Sequence, residues 1–111
     1  MARYYIGFDC GTMGTKTAIY REDSVRMAEA YRENIISYPL PGRAEMDPRG
    51  FVRNVEEGVM ECLNKSGVNP NEIRGISASG IICGIVGIND NWEPVTPFVP
   101  YLDNRARIEA E

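Results

Sequence analysis

Residues 4–20, with the sequence YYIGFDCGTMGTKTAIY, decide the fold of this chain. They predict a β-strand, a tight glycine turn and a second strand, with the carboxylate of Asp9 at the bend. Glycine, here Gly11, lets the backbone of such a turn approach an anion closely, and the turn exposes backbone N–H groups. The other polar groups are two hydroxyls and an ammonium, on Thr12, Thr15 and Lys16. Because a carboxylate can hold Mg²⁺ directly or through its waters, the stretch predicts a site for a metal-bound polyphosphate.

A simpler interpretation of the same stretch stays open. It is an ordinary β-hairpin in which Asp and Gly serve turn geometry and Lys16 is a solvated strand residue. The stretch is not a Walker loop, which has the order G-x-x-x-x-G-K-[ST] and opens a helix. The apolar strand before Asp9 and the lysine after the turn favour the phosphate interpretation.

Composition limits the classes of protein to consider. The chain has 111 residues, 43% apolar and 25% charged, which predicts one small globular domain. A net charge of −4 with 12 basic residues provides no basic stripe, so we expect no nucleic-acid partner. No run approaches the roughly 20 apolar residues of a membrane span, and residues 1–3 lead into a strand instead of a signal peptide. We therefore expect no membrane partner and a cytoplasmic protein.

Cysteine and histidine usage excludes several kinds of site. The chain has three cysteines, Cys10, Cys62 and Cys83, and no histidine, which argues against the usual zinc sites and against a disulfide framework. Cys10 lies in the predicted phosphate turn and is either a reactive thiol or a small filler residue. Without histidine, any general base in this chain must be a carboxylate.

The middle of the chain predicts a third strand and one long helix. Residues 26–32 are mostly good helix formers, yet the short polar turn before them is typical of a meander, so we predict a strand over 25–31. A loop at 37–43 follows. Asp47 is the predicted N-cap of the helix, Pro48 its first residue and Gly67 its C-terminal stop. Its apolar face is predicted to be core and consists of Phe51, Val52, Val55, Val59, Met60, Cys62 and Leu63.

The last third predicts two more strands and a helix. Residues 73–79 alternate as a strand should, and the nearly all-apolar run 81–88 predicts a strand covered on both faces. A turn at 89–93 and a proline-rich edge or extended segment at 94–100 follow. Asp103 and Asn104 predict the start of a final helix that runs to Glu111. Because that helix has no stop signal, we expect the chain to be a fragment of a longer protein.

Four separated stretches resemble the FGGY carbohydrate kinases. The first is 6–12, which also resembles the first phosphate loop of the actin, Hsp70 and sugar kinase superfamily. The second is 42–48, an E-x-D-P run that opens the first long helix and is followed by the aromatic Phe51. The third is 76–84, where the family places its substrate loop. The fourth is 99–105, which is similar to the family's W-x-D-x-R segment with Tyr101 in the tryptophan position.

The resemblance implies a fold and an activity. The fold would be α/β, a ribonuclease H-like mixed sheet with flanking helices, and residues 1–111 would be the N-terminal portion of the first of two domains that enclose a cleft. The activity would be ATP-dependent phosphorylation of a sugar or polyol hydroxyl with Mg²⁺. The catalytic base would lie beyond residue 111, so this chain would hold no catalytic residue and would be inactive alone. A homodimer stays open.

The resemblance also implies site residues. In the phosphate loop 9–16, Asp9 would orient the Mg²⁺ shell through water, while Gly11, Thr12, Thr15 and Lys16 would face the phosphates. On the sugar side, segments 79–84 and 101–105 would contribute Ile82, Cys83, Tyr101, Asp103 and Arg105. A helix cap and a surface cation are the alternative roles for Asp103 and Arg105.

The substrate loop departs from the family. Xylulokinase-like members show G-Q-M-H-G and glycerol kinase shows Q-R-E, whereas residues 80–84 of this chain are G-I-I-C-G. Side chains that would hydrogen-bond a polyol are replaced by apolar ones, so the substrate cannot be carried over. Two rival functions follow. An actin- or Hsp70-like ATPase module would have no reason to carry the second and fourth stretches. An inert nucleotide-binding or regulatory relative is favoured by the apolar loop and opposed by the intact phosphate loop.

Overall fold

A computed structural model describes residues 1–110 of the chain. In chain order the elements are β1 (Tyr4–Cys10), β2 (Gly14–Arg21), β3 (Arg26–Glu33), β4 (Ile36–Ser37), β5 (Glu45–Met46), α1 (Pro48–Ser66), a 3-10 helix (Pro70–Glu72), β6 (Ile73–Gly80) and α2 (Arg107–Ala110). The main sheet has the strand order β3-β2-β1-β6, and β4 pairs with β5 in a separate ribbon. Strands β1 to β3 are antiparallel, whereas β6 runs parallel to β1. A meander followed by a helical crossover therefore makes a mixed sheet.

The third strand forms against its helical propensity. β3 pairs with β2 along nearly its whole length, and its Ala30 joins Ile6, Ile19 and Cys62 in the buried core. This confirms the predicted strand, because pairing and burial outweigh a local preference of a few tenths of a kcal/mol per residue.

The predicted signals at both ends of α1 are confirmed. The Asp47 carboxylate accepts the N–H of Arg49 at 2.9 Å, and Gly67 adopts a left-handed φ of 68° while its N–H reaches the Leu63 carbonyl at 3.0 Å. The prediction for the apolar face is only partly right, because Val52 and Met60 are exposed. The helix lies over β2 and β3, and neither position is buried against them.

Contact between α1 and β2 depends on the missing side chain of Gly58. A Cβ there would lie 2.5 Å from Oγ1 and 3.1 Å from Cβ of Thr17, a buried strand residue with no room to retreat. Gly58→Ala should therefore destabilise the fold by about 1–2 kcal/mol, although alanine is the better helix former. Urea unfolding measures this, and Gly50→Ala in the same helix is the control because its Cβ would meet nothing closer than 3.9 Å. Equal stability of both variants would contradict the predicted clash.

The predicted strand over 81–88 is wrong. β6 ends at Gly80, and the following chain makes isolated bridges from Ile85 to Val99 and from Ile88 to Pro94. Ile82, Ile85 and Ile88 are exposed instead of covered. The reason is that β1, the neighbour of β6, ends at Cys10 and offers no further ladder. The predicted turn at 89–93 and the extended segment at 94–100 are confirmed.

The final helix begins later than predicted. Asp103 and Asn104 lie in a loop, because the Asp103 carboxylate accepts N–H groups of Ala44 and Arg105 instead of capping a helix. Only Arg107–Ala110 are helical, and the predicted extension to Glu111 lies outside the described residues. Within residues 1–110, no helix is both long and apolar enough to cross a bilayer.

Candidate functional site

The hairpin of β1 and β2 places a carboxylate beside an ammonium. Asp9 and Lys16 are direct partners in the antiparallel register, so their side chains project from the same face of the sheet. That face is opposite α1, and both residues are exposed. Among residues 1–110, neither side chain makes a hydrogen bond or an ion pair. Both charged groups are therefore available to a ligand.

The turn between the two strands is held from outside by two asparagines. Asn34, directly after β3, donates its backbone N–H to the Met13 carbonyl at 2.9 Å and its Nδ2 to the Gly11 carbonyl at 2.5 Å. Asn54 of α1 in turn donates Nδ2 to Oδ1 of Asn34 at 2.8 Å. We call Asn34 and Asn54 the asparagine clamp. It fixes the turn before any ligand arrives.

Two backbone donors of this turn have no partner within the described chain. The N–H of Gly11 closes the turn on the Gly14 carbonyl at 2.9 Å. The N–H groups of Thr12 and Met13 have no acceptor within the described chain. Two neighbouring N–H groups at this turn are therefore left for an acceptor from outside the described chain. Sequence inspection missed the clamp, because an Asn after a strand indicates only a turn and not a partner 20 residues away.

The other predicted phosphate residues are placed differently. A Cβ at Gly11 would lie 3.2 Å from the Gly14 carbonyl, so the turn favours glycine. Thr12 is half-buried at the turn. Thr15 pairs with Cys10 on the α1 side of the sheet, and it is 1% exposed. Its hydroxyl is therefore directed away from the face that carries Asp9 and Lys16.

Cys10 is half-buried at the end of β1. Burial raises the pKa of its thiol, and the charge of Asp9 adds to this, while the Thr15 hydroxyl opposes it. A thiol attacks as the thiolate, so a raised pKa argues against a reactive cysteine. Burial likewise raises the pKa of the Cys62 thiol.

The loop with Ile82 and Cys83 adjoins the phosphate hairpin. The N–H of Ile81 donates to the Cys10 carbonyl at 3.0 Å, which ties the start of the loop to the end of β1. Ile82 and Cys83 are exposed, and Cys83 has a left-handed φ of 60°. A non-glycine residue in that region is uncommon and is found most often at turns and functional sites.

Two aromatic rings support this loop from behind. A Cβ at Gly84 would lie 2.1 Å from the Phe98 ring, so the ring packs directly against the glycine backbone. Phe98 meets Phe51 of α1 edge to face, with ring centroids 5.3 Å apart. Hydrogen bonds of 3.0 and 2.8 Å between Ile85 and Val99 continue the contact toward Tyr101, which is exposed. The chain that follows segment 79–84 is thus paired with the chain that precedes segment 101–105.

Asp103 and Arg105 form an internal ion cluster. The Asp103 side chain, 2% exposed, accepts the N–H of Ala44 at 2.7 Å and three donors of Arg105 at 2.8–2.9 Å. Arg105 also pairs with Glu45 at 3.3 Å. The cluster connects the E-x-D-P segment to the aromatic-x-D-x-R segment. It occupies the oxygens of Asp103, so that carboxylate holds the two segments together.

The cluster makes a pH-dependent contribution to stability. Hydrogen bonds from Arg105 hold the pKa of Asp103 well below its ordinary value of 3.8. The stabilisation is thus complete above about pH 4 and is lost as the pH falls toward the folded-state pKa. Asp103→Asn should lower the melting temperature by a constant amount from pH 5 to 7, and by less below pH 4. Thermal unfolding across this range tests it, with Asp90→Asn in the exposed 89–93 turn as control. A difference that grows on acidification would contradict the assignment.

A profile of the FGGY family of carbohydrate kinases, N-terminal domain, matches residues 4–111. The chain belongs to this family. It is 31% identical over 109 residues to a xylulose kinase from Staphylococcus xylosus, covering 97% of this chain and 22% of that protein. It therefore spans about a fifth of the length of the curated relatives it matches.

Solved structures of sugar kinases confirm the predicted fold. A gluconate kinase from Lactobacillus acidophilus superimposes with a TM-score of 0.88 at 25% identity, covering 98% of this chain and 22% of that one. A xylulose kinase from Rhodospirillum rubrum gives 0.83 at 27%, covering 97% and 23%. The α/β class and the ribonuclease H-like mixed sheet of the actin, Hsp70 and sugar kinase superfamily are thereby confirmed.

The donors in this FGGY chain suit one kind of metal site. Within residues 1–110, no group of three or more Cys, Asp or Glu side chains could enclose an ion. Asp9 is instead a lone exposed carboxylate beside the turn with the two unpaired N–H groups. Mg²⁺ keeps several waters and is held by one or two carboxylates together with substrate phosphates, so Asp9 fits that role.

Proposed function

We propose that the full-length protein carrying this chain phosphorylates a sugar or polyol hydroxyl with ATP, and that this chain supplies its first phosphate loop and part of its sugar side. One observation supports this most strongly. Asp9 and Lys16 project side by side from an exposed sheet face, next to a clamped turn with two unpaired N–H groups. An ordinary hairpin needs neither the clamp nor the uncommitted charges.

Each group of the hairpin has a separate task in this proposal. Phosphoryl transfer depends mainly on positioning and on neutralising charge at the phosphate oxygens. The N–H groups of Thr12 and Met13 and the ammonium of Lys16 bind those oxygens without rearranging, because the clamp has already fixed the turn. Asp9 would hold Mg²⁺ through its waters, and the bound ion would neutralise further phosphate charge. The catalytic base is expected beyond residue 111. Buried Thr15 supports the hairpin from within.

The sugar side has an apolar wall in this proposal. Ile82 and Cys83 are exposed in the loop that adjoins the phosphate hairpin, and Tyr101 is exposed in the segment that Asp103 and Arg105 fix. The side chains of Ile82 and Cys83 have no strong donor or acceptor, so they suit a substrate that presents carbon there, such as a deoxy or shorter polyol. The cytoplasmic location and the option of a homodimer stay predictions.

A substrate screen tests the proposed activity. The full-length protein is incubated with Mg-ATP and a panel of ketoses and polyols that includes deoxy compounds, and ADP formation is followed. We expect ADP formation that requires both Mg²⁺ and one class of substrate, and none from residues 1–111 alone. Sugar-independent hydrolysis would indicate an actin- or Hsp70-like ATPase. Absence of any ADP formation would favour the inert regulatory relative.

A further inference from the structure

Tyr31 of β3 shares the sheet face of the charged pair. It is the register partner of Lys16, which in turn is the partner of Asp9, so the three side chains form one row across three strands. This row lies on the face opposite α1, and Tyr31 is 50% exposed. Directly paired side chains of neighbouring strands have Cβ atoms only about 4.5–5.5 Å apart. Tyr31 is thus a near neighbour of the ammonium that we place at the phosphates.

The missing side chain of Gly14 brings the Tyr31 hydroxyl to the turn. A Cβ at Gly14 would lie 2.2 Å from the hydroxyl oxygen of Tyr31 and 2.3 Å from its Cζ. The tip of the ring therefore rests on the backbone of the first residue of β2, immediately after the turn with the unpaired N–H groups. No hydrogen bond to this hydroxyl occurs within residues 1–110. A phenol seated on Gly14, with its donor unused, thus stands beside the turn that carries the two unpaired N–H groups.

We propose that Tyr31 is a further phosphate-binding residue, whose hydroxyl donates a hydrogen bond to the anion held by Lys16 and the turn. This inference rests on the proposed phosphate site. A tyrosine hydroxyl can donate one hydrogen bond, so it suits a phosphate oxygen. Nothing in the sequence indicates this role, since Tyr31 lies 15 residues beyond Lys16 in a strand with an unrelated pattern.

Binding of two probes tests the inference. Dissociation constants of Mg-ADP and of Mg-tripolyphosphate are measured by calorimetry on the full-length protein and on Tyr31→Phe, which removes only the hydroxyl. Loss of a hydrogen bond to a charged acceptor at a half-exposed site should weaken both probes about tenfold. Tyr20→Phe is the matched control, because Tyr20 is 39% exposed on the same face but pairs with Tyr5 at the far end of the hairpin. It should change neither affinity.

The outcomes separate this inference from the kinase proposal. Equal affinities of wild type and Tyr31→Phe, or equal losses in both tyrosine variants, would overturn the role of Tyr31 even if the protein phosphorylates a sugar. A tenfold loss confined to Tyr31→Phe in a protein that phosphorylates no tested sugar would keep the phosphate-binding role and remove the kinase assignment. A wild-type protein that binds neither probe would overturn both.

Discussion

Replacing Asp9 by Asn in the full-length protein is expected to lower turnover with Mg-ATP by on the order of 10²-fold or more, with little change in melting temperature. The substitution is nearly isosteric, and the Asp9 side chain makes no hydrogen bond or ion pair within the described chain. The loss is therefore one of negative charge at the metal and phosphates, while packing is unaffected.

Steady-state kinetics at saturating ATP and Mg²⁺ measure this effect, and thermal unfolding confirms that the variant is folded. Asp90→Asn is the matched control, since it removes an exposed carboxylate from the 89–93 turn, away from the hairpin. Wild-type turnover in Asp9→Asn would show that Asp9 is only a turn residue and that the ordinary-hairpin interpretation is right.

The combined substitution Ile81→Gln and Cys83→His is expected to shift preference toward a fully hydroxylated ketose. It restores the xylulokinase-like run G-Q-M-H-G, apart from Ile82 in the methionine position. The backbone can accept both changes. Ile81 contacts Cys10 through its N–H, which glutamine keeps, and His is among the residues enriched at the left-handed φ that Cys83 adopts.

The expected size of the change in kcat/KM follows from the apolar side chains at 81–83. A hydrogen-bonding site rejects an analogue that lacks its partner group by about 10⁴, whereas an apolar wall discriminates by roughly 10–200-fold. Partial restoration should therefore raise kcat/KM for the ketose at least about tenfold relative to the native substrate. Ile81→Leu with Cys83→Ala, which keeps the wall apolar, is the control. Unchanged preference over a complete panel would mean that residues 81–83 do not line the sugar site.

Local signals were enough to predict most of the regular elements from the sequence. The hairpin around Gly11, the caps at Asp47 and Gly67, and the meander strand β3 all depend on residues near one another in the chain. Such signals act over one turn of helix or one pair of strands, so they can be recognised without knowledge of the tertiary structure. The four family-like stretches identified the family for the same reason, since each is a short local pattern.

Residues 81–88 show where this reasoning failed. An apolar run is buried only if another layer of the structure packs on it. The sequence of the run does not determine whether such a layer is present. In this chain the run continues past the end of β1 and makes only isolated bridges to Pro94 and Val99, and Ile82, Ile85 and Ile88 are exposed. Likewise Asp103 and Asn104 have the pattern of a helix start. The Asp103 carboxylate instead accepts a hydrogen bond from the N–H of Ala44, 59 residues away in the chain.

The sequence determined which chemical groups the candidate site contains. The tertiary structure determined how those groups are oriented. The sequence determined that residues 9–16 hold a carboxylate, hydroxyls, glycines and a lysine. The hairpin register then placed Lys16, and not Thr15, beside Asp9, because a shift of one residue exchanges the two faces of a strand. The asparagine clamp joins residues from separate elements, and so does the contact of the Tyr31 ring with the backbone of Gly14. Such contacts exist only after the sheet and α1 have packed, since their partners lie 17 to 20 residues apart in the chain.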